Sequence, residues 1–322
     1  MQVSPAGYAA PGVRRIAIPL PIPALKVVNV YLVEGTDRSL VDTGIHTDEA
    51  EAALRAGLAE AGVALGGIAR TFVTHLHPDH FGMAGTLERA GSSIVMHRPE
   101  AEHARAVWAA DHHLIDATHE WFALHGMPGD VNEGMRAAWI DIARRVDDVE
   151  RIALVDDGGT FDLGGRTARV VWTPGHTDHH AVLFDESTGT LFAGDHVLPR
   201  ITSNVGLYSF SRDDPLGDYL QALRRVRALP VRRVLPAHGE PFDDLGGRVD
   251  ELLEHHRLRL DAVLGLCTGV DAYAIALRLF PKLRSPAEER FALAETLAHL
   301  RHLERADRVV ATEERPIRWR AV

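Results

Sequence analysis

Four potential metal ligands lie within six residues in the segment 74–80, which reads THLHPDH. An apolar run precedes the segment and predicts a strand. Because side chains alternate along an extended chain, His75 and His77 project to the same side. Asp79 and His80 follow where the chain is expected to turn into a helix, and there they can reach a second metal ion nearby.

Three single residues further along the chain have the types and settings that would complete such a site. They are His176 in the sequence TPGHT, Asp195 in FAGD and His238 in PAHG. Each follows an apolar run and lies beside a glycine, which lets the backbone approach closely. Imidazole and carboxylate ligands without thiolate suit Zn²⁺, and also Fe or Mn. A lone histidine after a strand is usually a surface residue, but the clustered motif together with three singles predicts a metal site.

These residues resemble the metallo-β-lactamase superfamily, and its glyoxalase-II-like dinuclear hydrolase branch in particular, over about residues 25–240. The likeness includes the run Asn29–Val33 and the turn Asp42-Thr43-Gly44. The resemblance implies an α+β fold, a four-layer αβ/βα sandwich in which two mixed sheets pack together with helices outside. It also implies seven metal ligands: His75, His77 and His176 for a first ion, Asp79, His80 and His238 for a second, and Asp195 as a bridge.

The chemistry implied is that of a dinuclear hydrolase with two Zn²⁺ per chain. Two metals that share a hydroxide lower its pKa toward neutrality, and so supply a nucleophile and a Lewis acid. Asp79 and Asp195 are the candidate catalytic residues, and Asp79 is expected to orient the hydroxide or to pass a proton. Asp42 is expected either to hold a ligand histidine without touching the metal or to stabilise its own turn.

Hydrophobic periodicity divides the chain into two predicted domains. Residues 13–265 are expected to form the metallo-β-lactamase-fold domain, with a helical insertion over about 99–150 that is broken near 126–129. Residues 266–322 resemble a small winged-helix-like extension. Helices are predicted at Thr47–Gly62, Phe81–Ala90, Pro215–Leu229, Leu245–Leu266, Ala272–Phe280 and Pro286–Ala306. Strands are predicted at Val27–Val33, Ser39–Val41, Ile68–Val73, Ser92–Met96, Thr160–Leu163, Thr167–Thr173, Ala181–Phe184, Thr190–Ala193, Val231–Leu235, Arg308–Thr312 and Ile317–Ala321.

Three reactions remain open at this level. The first is attack of metal-bound hydroxide on the carbonyl of an ester, thioester or lactone, with a small-molecule acyl substrate. The second is a phosphodiesterase or ribonuclease of the same fold. The segment 251–322 holds twelve Lys/Arg and eleven Asp/Glu, so it lacks the basic excess of a nucleic-acid footprint. The third is a mononuclear iron persulfide dioxygenase, which the complete second ligand set argues against.

Several other residues are candidates for roles at the site. The insertion carries three of the five tryptophans, which either form an apolar lid or pack its helices together. These aromatic residues are Trp108, Trp121, Phe122 and Trp139. His112, His113, His119 and His125 form either a further metal site or, by preference, a solvated face. His179 and His180 are candidates for substrate contact or for the start of a strand, and Tyr208 and Ser209 for polarising a carbonyl.

Composition and sequence also limit what we expect of partners, disulfides and location. The 322-residue chain has a formal net charge of −10, which argues against a general nucleic-acid binder. Its one cysteine, Cys267, cannot form a disulfide within the chain and is expected to be buried. No apolar run is long enough to cross a bilayer, and the prolines after Arg15 make a poor secretory segment. We therefore expect a cytoplasmic protein without membrane contact, possible homodimerisation, and a frayed stretch at 1–12.

Overall fold

The structure is a computed structural model that describes residues 8–22, 25–283 and 285–322. Seven strands form a first sheet in the order of the chain. They are β1 (Tyr8–Ala10), β2 (Val13–Pro19), β3 (Val27–Val33), β4 (Ser39–Val41), β5 (Arg70–Val73), β6 (Ser93–His97) and β7 (Ile152–Val155). The pairs from β1 to β4 are antiparallel and those from β4 to β7 are parallel, so the sheet is mixed.

A second mixed sheet has the order β12-β11-β10-β9-β8, in which only the β11–β12 pair is parallel. Its strands are β8 (Thr160–Leu163), β9 (Arg166–Trp172), β10 (Ala181–Asp185), β11 (Thr190–Gly194) and β12 (Arg233–Pro236). A third, antiparallel sheet has the order β13-β15-β14. It is formed by β13 (Thr268–Asp271), β14 (Val309–Ala311) and β15 (Arg318–Ala321).

Ten α-helices connect the strands within the described residues. They are α1 (Asp48–Glu60), α2 (Pro78–Phe81), α3 (Ala84–Arg89), α4 (Arg98–Val107), α5 (His113–Leu124), α6 (Gly129–Ala143), α7 (Pro215–Arg227), α8 (Leu245–Leu266), α9 (Ala272–Leu279) and α10 (Pro286–Arg305). None of these described helices is long and apolar enough to span a membrane.

The two large sheets pack face to face, because each contributes one apolar face to a shared core. The Phe72 and Phe161 rings lie 5.5 Å apart across this core, and Tyr31 and Phe192 lie 5.8 Å apart. On β10, Leu183 belongs to this core. The adjacent Val182 and Phe184 point the other way and belong to a second apolar cluster, which includes the buried faces of the helices. Because successive side chains of such a strand point to two buried faces, the sheet must be covered on its outer face by helices. The predicted four-layer α+β sandwich is therefore confirmed.

The segment between β6 and β7 is helical, as predicted, and consists of α4, α5 and α6. The break expected near 126–129 lies between α5 and α6. Beyond the second sheet, the elements run α8, β13, α9, α10, β14 and β15, and α10 packs against α6, α7, α8 and α9. The domain division at 265/266 and the winged-helix assignment stay predictions.

The sequence prediction missed four strands and joined two helices. Tyr8–Ala10 and the stretch after it are β1 and β2, so only residues 1–7 of the expected frayed start lie outside the described residues. β7 and β13 were missed because their conformation depends on pairing with β6 and β15, which no local sequence pattern reveals. The predicted helix Phe81–Ala90 is divided between α2 and α3, because the Met83 amide donates to the Gly44 carbonyl and to Thr43 Oγ1.

Candidate metal centre

The seven predicted ligands come together at one end of the sandwich. They lie in the segments that follow β5, β9, β11 and β12, with Asp79 and His80 in the short helix α2 after β5 and the other five in loops. Their ligand atoms fall into overlapping groups of three, within each of which the atoms lie within 4.8 Å of one another. One group is His75, His77 and His176, a second is Asp79, His80 and His238, and a third is His75, His80 and Asp195.

In the first group, hydrogen bonds direct the ring nitrogens toward a common point. The Thr74 hydroxyl donates to Asp42 and therefore accepts from His75 Nδ1, 3.0 Å away. His75 Nε2 is thus unprotonated and lies 3.0 Å from His77 Nδ1. His176 Nδ1 donates to the Asn204 carbonyl at 2.8 Å, which leaves Nε2 available as a ligand.

The second group has the same organisation around Asp79. His238 Nδ1 donates to the Val27 carbonyl at 2.9 Å, so its Nε2 points inward, 3.3 Å from Asp79 Oδ2. His80 Nε2 lies 3.6 Å from the same carboxylate oxygen. β3 thus contributes a backbone carbonyl that orients a ligand supplied by the loop after β12.

Asp195 lies between the two groups and presents one oxygen to each. Its Oδ2 is 3.4 Å from His176 Nε2, whereas its Oδ1 is 3.5 Å from His80 Nε2 and 3.4 Å from His238 Nε2. Its amide donates to His180 Nε2 at 3.2 Å. A side chain at Gly194, which has φ +48°, would meet that imidazole at 2.6 Å, so only glycine permits this approach.

Asp42 is hydrogen-bonded to His80, as the first of its two expected roles requires. Its Oδ2 accepts from His80 Nδ1 at 2.9 Å, and its Oδ1 accepts from the Thr74 amide at 2.8 Å. Asp42 adopts a left-handed backbone conformation with φ +62°, which is uncommon for a residue with a side chain. Strained backbone of this kind concentrates at functional sites.

Electrostatics show that this site favours positive charge. Burial lowers the pKa of His80, but Asp42, Asp79 and Asp195 outweigh it and raise that pKa to about 9. The pKa of His238 rises to about 11, because Asp195 and Asp79 outweigh the effect of burial. Burial would raise the pKa of Asp79, but His80 and His238 lower it to about 2. The carboxylates are thus held ionised and attract cations into a buried site.

Unpaired buried atoms show that the residues fit a metal. Among the predicted ligands, four buried atoms lack a hydrogen-bond partner in the described part of the chain, namely Nε2 of His80, His176 and His238 and Oδ1 of Asp195. Buried polar atoms are normally paired, because an unpaired one is costly. These four face one another across the centre, and their imidazole and carboxylate chemistry suits Zn²⁺, Fe or Mn. The clusters are therefore able to hold metal ions, while the assignment of individual ligands stays a prediction.

Glu100 is a site residue that sequence reasoning missed. It is fully buried at the start of α4, and its Oε1 accepts from the Leu76 amide at 2.8 Å and from Thr177 Oγ1 at 2.9 Å. It thereby ties the loop of His75 and His77 to the loop of His176. Burial raises its pKa to about 8. In the sequence it resembles an ordinary acid in the first turn of a helix, and no signal distinguishes it.

A cavity of about 670 Å³ opens from the centre. Its walls include five of the predicted ligands together with side chains of α4, α6 and α10. Most of the lining side chains are apolar, among them Leu76, Val107, Met135, Ile142 and Phe210. This volume is typical of a site for a small organic molecule.

Only two of the four aromatic candidates of the insertion line the cavity. Trp108 and Trp139 line the cavity, and the Trp108 indole donates to the Leu76 carbonyl at 2.8 Å. Trp121 and Phe122 do not line it. Trp121 packs against His125 with ring centroids 4.4 Å apart, and Phe122 is fully buried in the core.

Of the polar candidates near the site, one lines the cavity and three do not. Tyr208 lines the cavity, whereas Ser209 lies within hydrogen-bonding distance of the Thr118 hydroxyl and does not. His180 is buried just before β10 and binds the Asp195 amide, so it supports the centre from behind. Its neighbour His179 does not line the cavity.

The histidine cluster of the insertion is not a metal site by its geometry. Among the described residues, no metal-competent group includes His112, His113, His119 or His125. His113 is exposed beside Asp111, and His119 lies 3.2 Å from Glu133, as a solvated face requires. His125 is the exception, because it is buried against Trp121.

The fold and the site together define an α+β protein with a His/Asp cluster able to bind metal. A family model described as the metallo-beta-lactamase superfamily matches residues 24–238. The chain therefore belongs to the metallo-beta-lactamase superfamily, which makes it a member of a metallo-hydrolase superfamily.

Three similar proteins match this chain along nearly its whole length. The probable metallo-hydrolase YqjP of Bacillus subtilis (strain 168) is 29% identical over 308 residues, which are 92% of this chain and 94% of the relative. A crystal structure of a metallo-beta-lactamase family protein from Thermus thermophilus is 35% identical, with a TM-score of 0.88, and covers 97% of this chain and 99% of its own. A beta-lactamase domain protein from Burkholderia ambifaria is 27% identical, with a TM-score of 0.86, over 100% of this chain and 96% of its own.

Proposed function

We propose that this protein is a dinuclear zinc hydrolase in which hydroxide attacks the carbonyl carbon of an ester, a thioester or a lactone, so that the acyl C–O or C–S bond breaks and the alcohol or thiol leaves. The observation that carries the proposal is the position of Asp195, which presents separate carboxylate oxygens to two sets of ligand atoms. Two complete sets with a shared carboxylate fit two cations better than one. For this reason we do not favour the mononuclear iron dioxygenase.

The residues around the centre have distinct roles in this proposal. When bound, two zinc ions lower the pKa of a water molecule toward neutrality and polarise a carbonyl. Asp195 holds the two ligand sets at a fixed separation. Asp79 lines the cavity and is placed to orient a water molecule or to carry a proton to the leaving group. Tyr208 also lines the cavity, and its hydroxyl is a candidate donor to the carbonyl oxygen.

The walls of the cavity support a small acyl substrate over a nucleic acid. They are largely apolar, and Arg290 is the only lysine or arginine among the described lining residues. A phosphodiester or RNA substrate calls for several cations along its backbone. The name of the Bacillus subtilis relative, probable metallo-hydrolase, agrees with hydrolysis but specifies no bond.

A hydrolysis panel on the zinc-loaded protein tests the proposal. Acyl esters, thioesters and lactones are compared with a phosphodiester and a short RNA, with Asp195→Ala as the inactive control. We expect metal-dependent cleavage of carboxylic substrates only, with two zinc ions per chain by elemental analysis. Cleavage of the phosphodiester and RNA alone would overturn the acyl-hydrolase assignment, and full activity with one ion per chain would overturn the dinuclear one.

A further inference from the structure

One arginine of α10 lines the cavity that opens from the metal centre. The guanidinium carbon of Arg290 lies 4.5 Å from the centroid of the Trp139 ring and 4.3 Å from that of the Phe291 ring. Trp139 belongs to α6 of the insertion, so this contact joins the insertion to the C-terminal region. A planar guanidinium stacked on aromatic rings keeps its edge N–H groups available for a ligand.

Arg290 has no acidic partner in the part of the chain that the structure describes. No carboxylate of the described residues lies within 4.0 Å of its guanidinium nitrogens. The carboxylate of the adjacent Glu289 instead accepts from the Tyr273 hydroxyl. Other arginines of the same helix are paired, Arg305 with Asp213 and Arg301 with Asp213 and Glu304.

The surroundings of Arg290 make an unpaired cation costly. Burial lowers the pKa of its guanidinium from the ordinary value, although the group stays protonated. The side chain of Arg290 is only partly exposed, and a partly desolvated charge without a partner is unfavourable, so an incoming anion relieves that cost. Carboxylates and phosphates match the guanidinium fork with two parallel hydrogen bonds.

We propose that Arg290 binds an anionic group, a carboxylate or a phosphate, carried by the substrate away from its scissile carbonyl. This inference rests on the proposed acyl-hydrolase function and narrows its substrate class. The substrate has a reactive carbonyl at one end, an apolar middle part against walls such as Met135 and Ile142, and an anion at the other end. Arg290 is thus a specificity-determining residue supplied by α10, outside the residues matched by the family model.

A kinetic comparison tests this inference on the zinc-loaded full chain. The p-nitrophenyl ester of suberate, which has a free terminal carboxylate, is compared with the ester in which that carboxylate is a neutral amide. We expect the wild type to favour the anionic ester in kcat/KM by about tenfold or more, as a charge-assisted pair predicts. Arg290→Gln should abolish this preference, because kcat/KM for the anionic ester should fall to about the value for the neutral ester. Arg305→Gln is the matched control and should keep it.

A binding measurement separates the anion site from the proposed reaction. Suberate, its monoamide and a phosphate ester of an ω-hydroxy acid of the same length are titrated by calorimetry into the wild type, Arg290→Gln and Arg305→Gln. We expect the second anionic group to add about tenfold in affinity only where Arg290 is present, and the stronger of the two anions identifies the group. If no ester is cleaved but this difference persists, the hydrolase proposal fails and the anion site stands. If esters are cleaved and Arg290→Gln keeps the wild-type preferences, the anion site is refuted.

Discussion

Asp195 contacts both ligand sets and is the residue on which a two-metal arrangement depends. It is almost fully buried, and its surroundings lower its pKa well below the ordinary value, because His238 and His80 outweigh burial. In the proposed dinuclear site, a carboxylate in this position would neutralise charge from two cations at once. At the residue scale we therefore expect the two ligand sets to be coupled, so that loss of this one side chain affects both.

Substitution of Asp195 by alanine tests that coupling. We expect Asp195→Ala to abolish hydrolysis and to lower the occupancy of at least one metal site, because each ligand set loses an oxygen. Elemental analysis after dialysis and a rate assay measure the two effects. Asp250→Ala, which removes an exposed acid of α8, is the control. Two retained ions with full activity in Asp195→Ala would exclude the bridging role.

Asp42 contacts the site through His80. Its substitution is therefore expected to weaken metal binding rather than to abolish activity as Asp195→Ala is expected to do. In Asp42→Asn the amide can still accept from the Thr74 amide, but its NH₂ faces the His80 Nδ1–H as a second donor. We expect roughly 10- to 100-fold weaker binding at the Asp79/His80/His238 set, as is usual when the partner of a ligand histidine is lost. Competitive zinc titration measures this change. An unchanged affinity would return Asp42 to its other expected role, that of stabilising its turn.

The sequence predicted which residues meet at the centre because four potential ligands are closely spaced in one motif and three more follow apolar runs beside a glycine. Glu100 and Arg290 escaped prediction for a common physical reason. Each takes its role from partners distant in the chain, such as Thr177 for Glu100 and Trp139 for Arg290. A single sequence carries no record of such contacts.

At the scale of elements, α4 links two ligand loops through the carboxyl group of Glu100. Its pKa of about 8 lies above the usual range because burial disfavours the charged form. A carboxyl group whose pKa is higher in the folded state stabilises the fold at low pH. That contribution is lost as the pH rises from the unfolded value, about 4.3, through the folded value.

A pH series on Glu100→Gln tests this linkage. The amide oxygen of glutamine can accept the same two hydrogen bonds but does not titrate. We expect the melting temperature of the wild type, measured relative to that of Glu100→Gln, to be higher at pH 5 than at pH 9. Glu102→Gln, at an exposed position of the same helix, should show no such trend. A constant difference across the series would show that Glu100 titrates normally.

Element predictions were most accurate for long helices with clear apolar periodicity, whereas four strands were missed. The long helices α8 and α10 have clear apolar spacing, and their bounds differ little from those predicted. β7 and β13 take their conformation from hydrogen bonds to β6 and β15, which no local pattern reveals. Likewise, the division between α2 and α3 depends on bonds from Met83 to a distant turn.

At the scale of the molecule, α10 is part of the core and part of the cavity wall. Its residues Leu293, Leu297 and Leu300 are almost completely buried, while Arg290 and Phe291 line the cavity. Burying one such leucine contributes about 1.5–3 kcal/mol, against a total stability of about 5–15 kcal/mol for a typical protein. The C-terminal region is therefore bound into the fold.

Deletion of residues 271–322 tests this organisation. We expect the truncated protein to lose solubility or its state of assembly far more than its metal content, because all seven predicted ligands remain while apolar surface on α6 and α8 becomes exposed. Size-exclusion chromatography, with metal analysis of the soluble fraction, measures both. A soluble truncation with an unchanged oligomeric state and full activity would contradict this expectation.

The predicted metal ligands precede, in the order of the chain, the part of the cavity wall that α10 forms. All seven predicted ligands precede residue 239, whereas α10 follows only after α8 and α9. During synthesis on a ribosome, the sandwich and its ligand loops emerge before the helix that carries Arg290. A nascent chain thus presents the predicted metal ligands before α10 can complete the cavity wall, and the proposed anion site at Arg290 forms only when that helix docks.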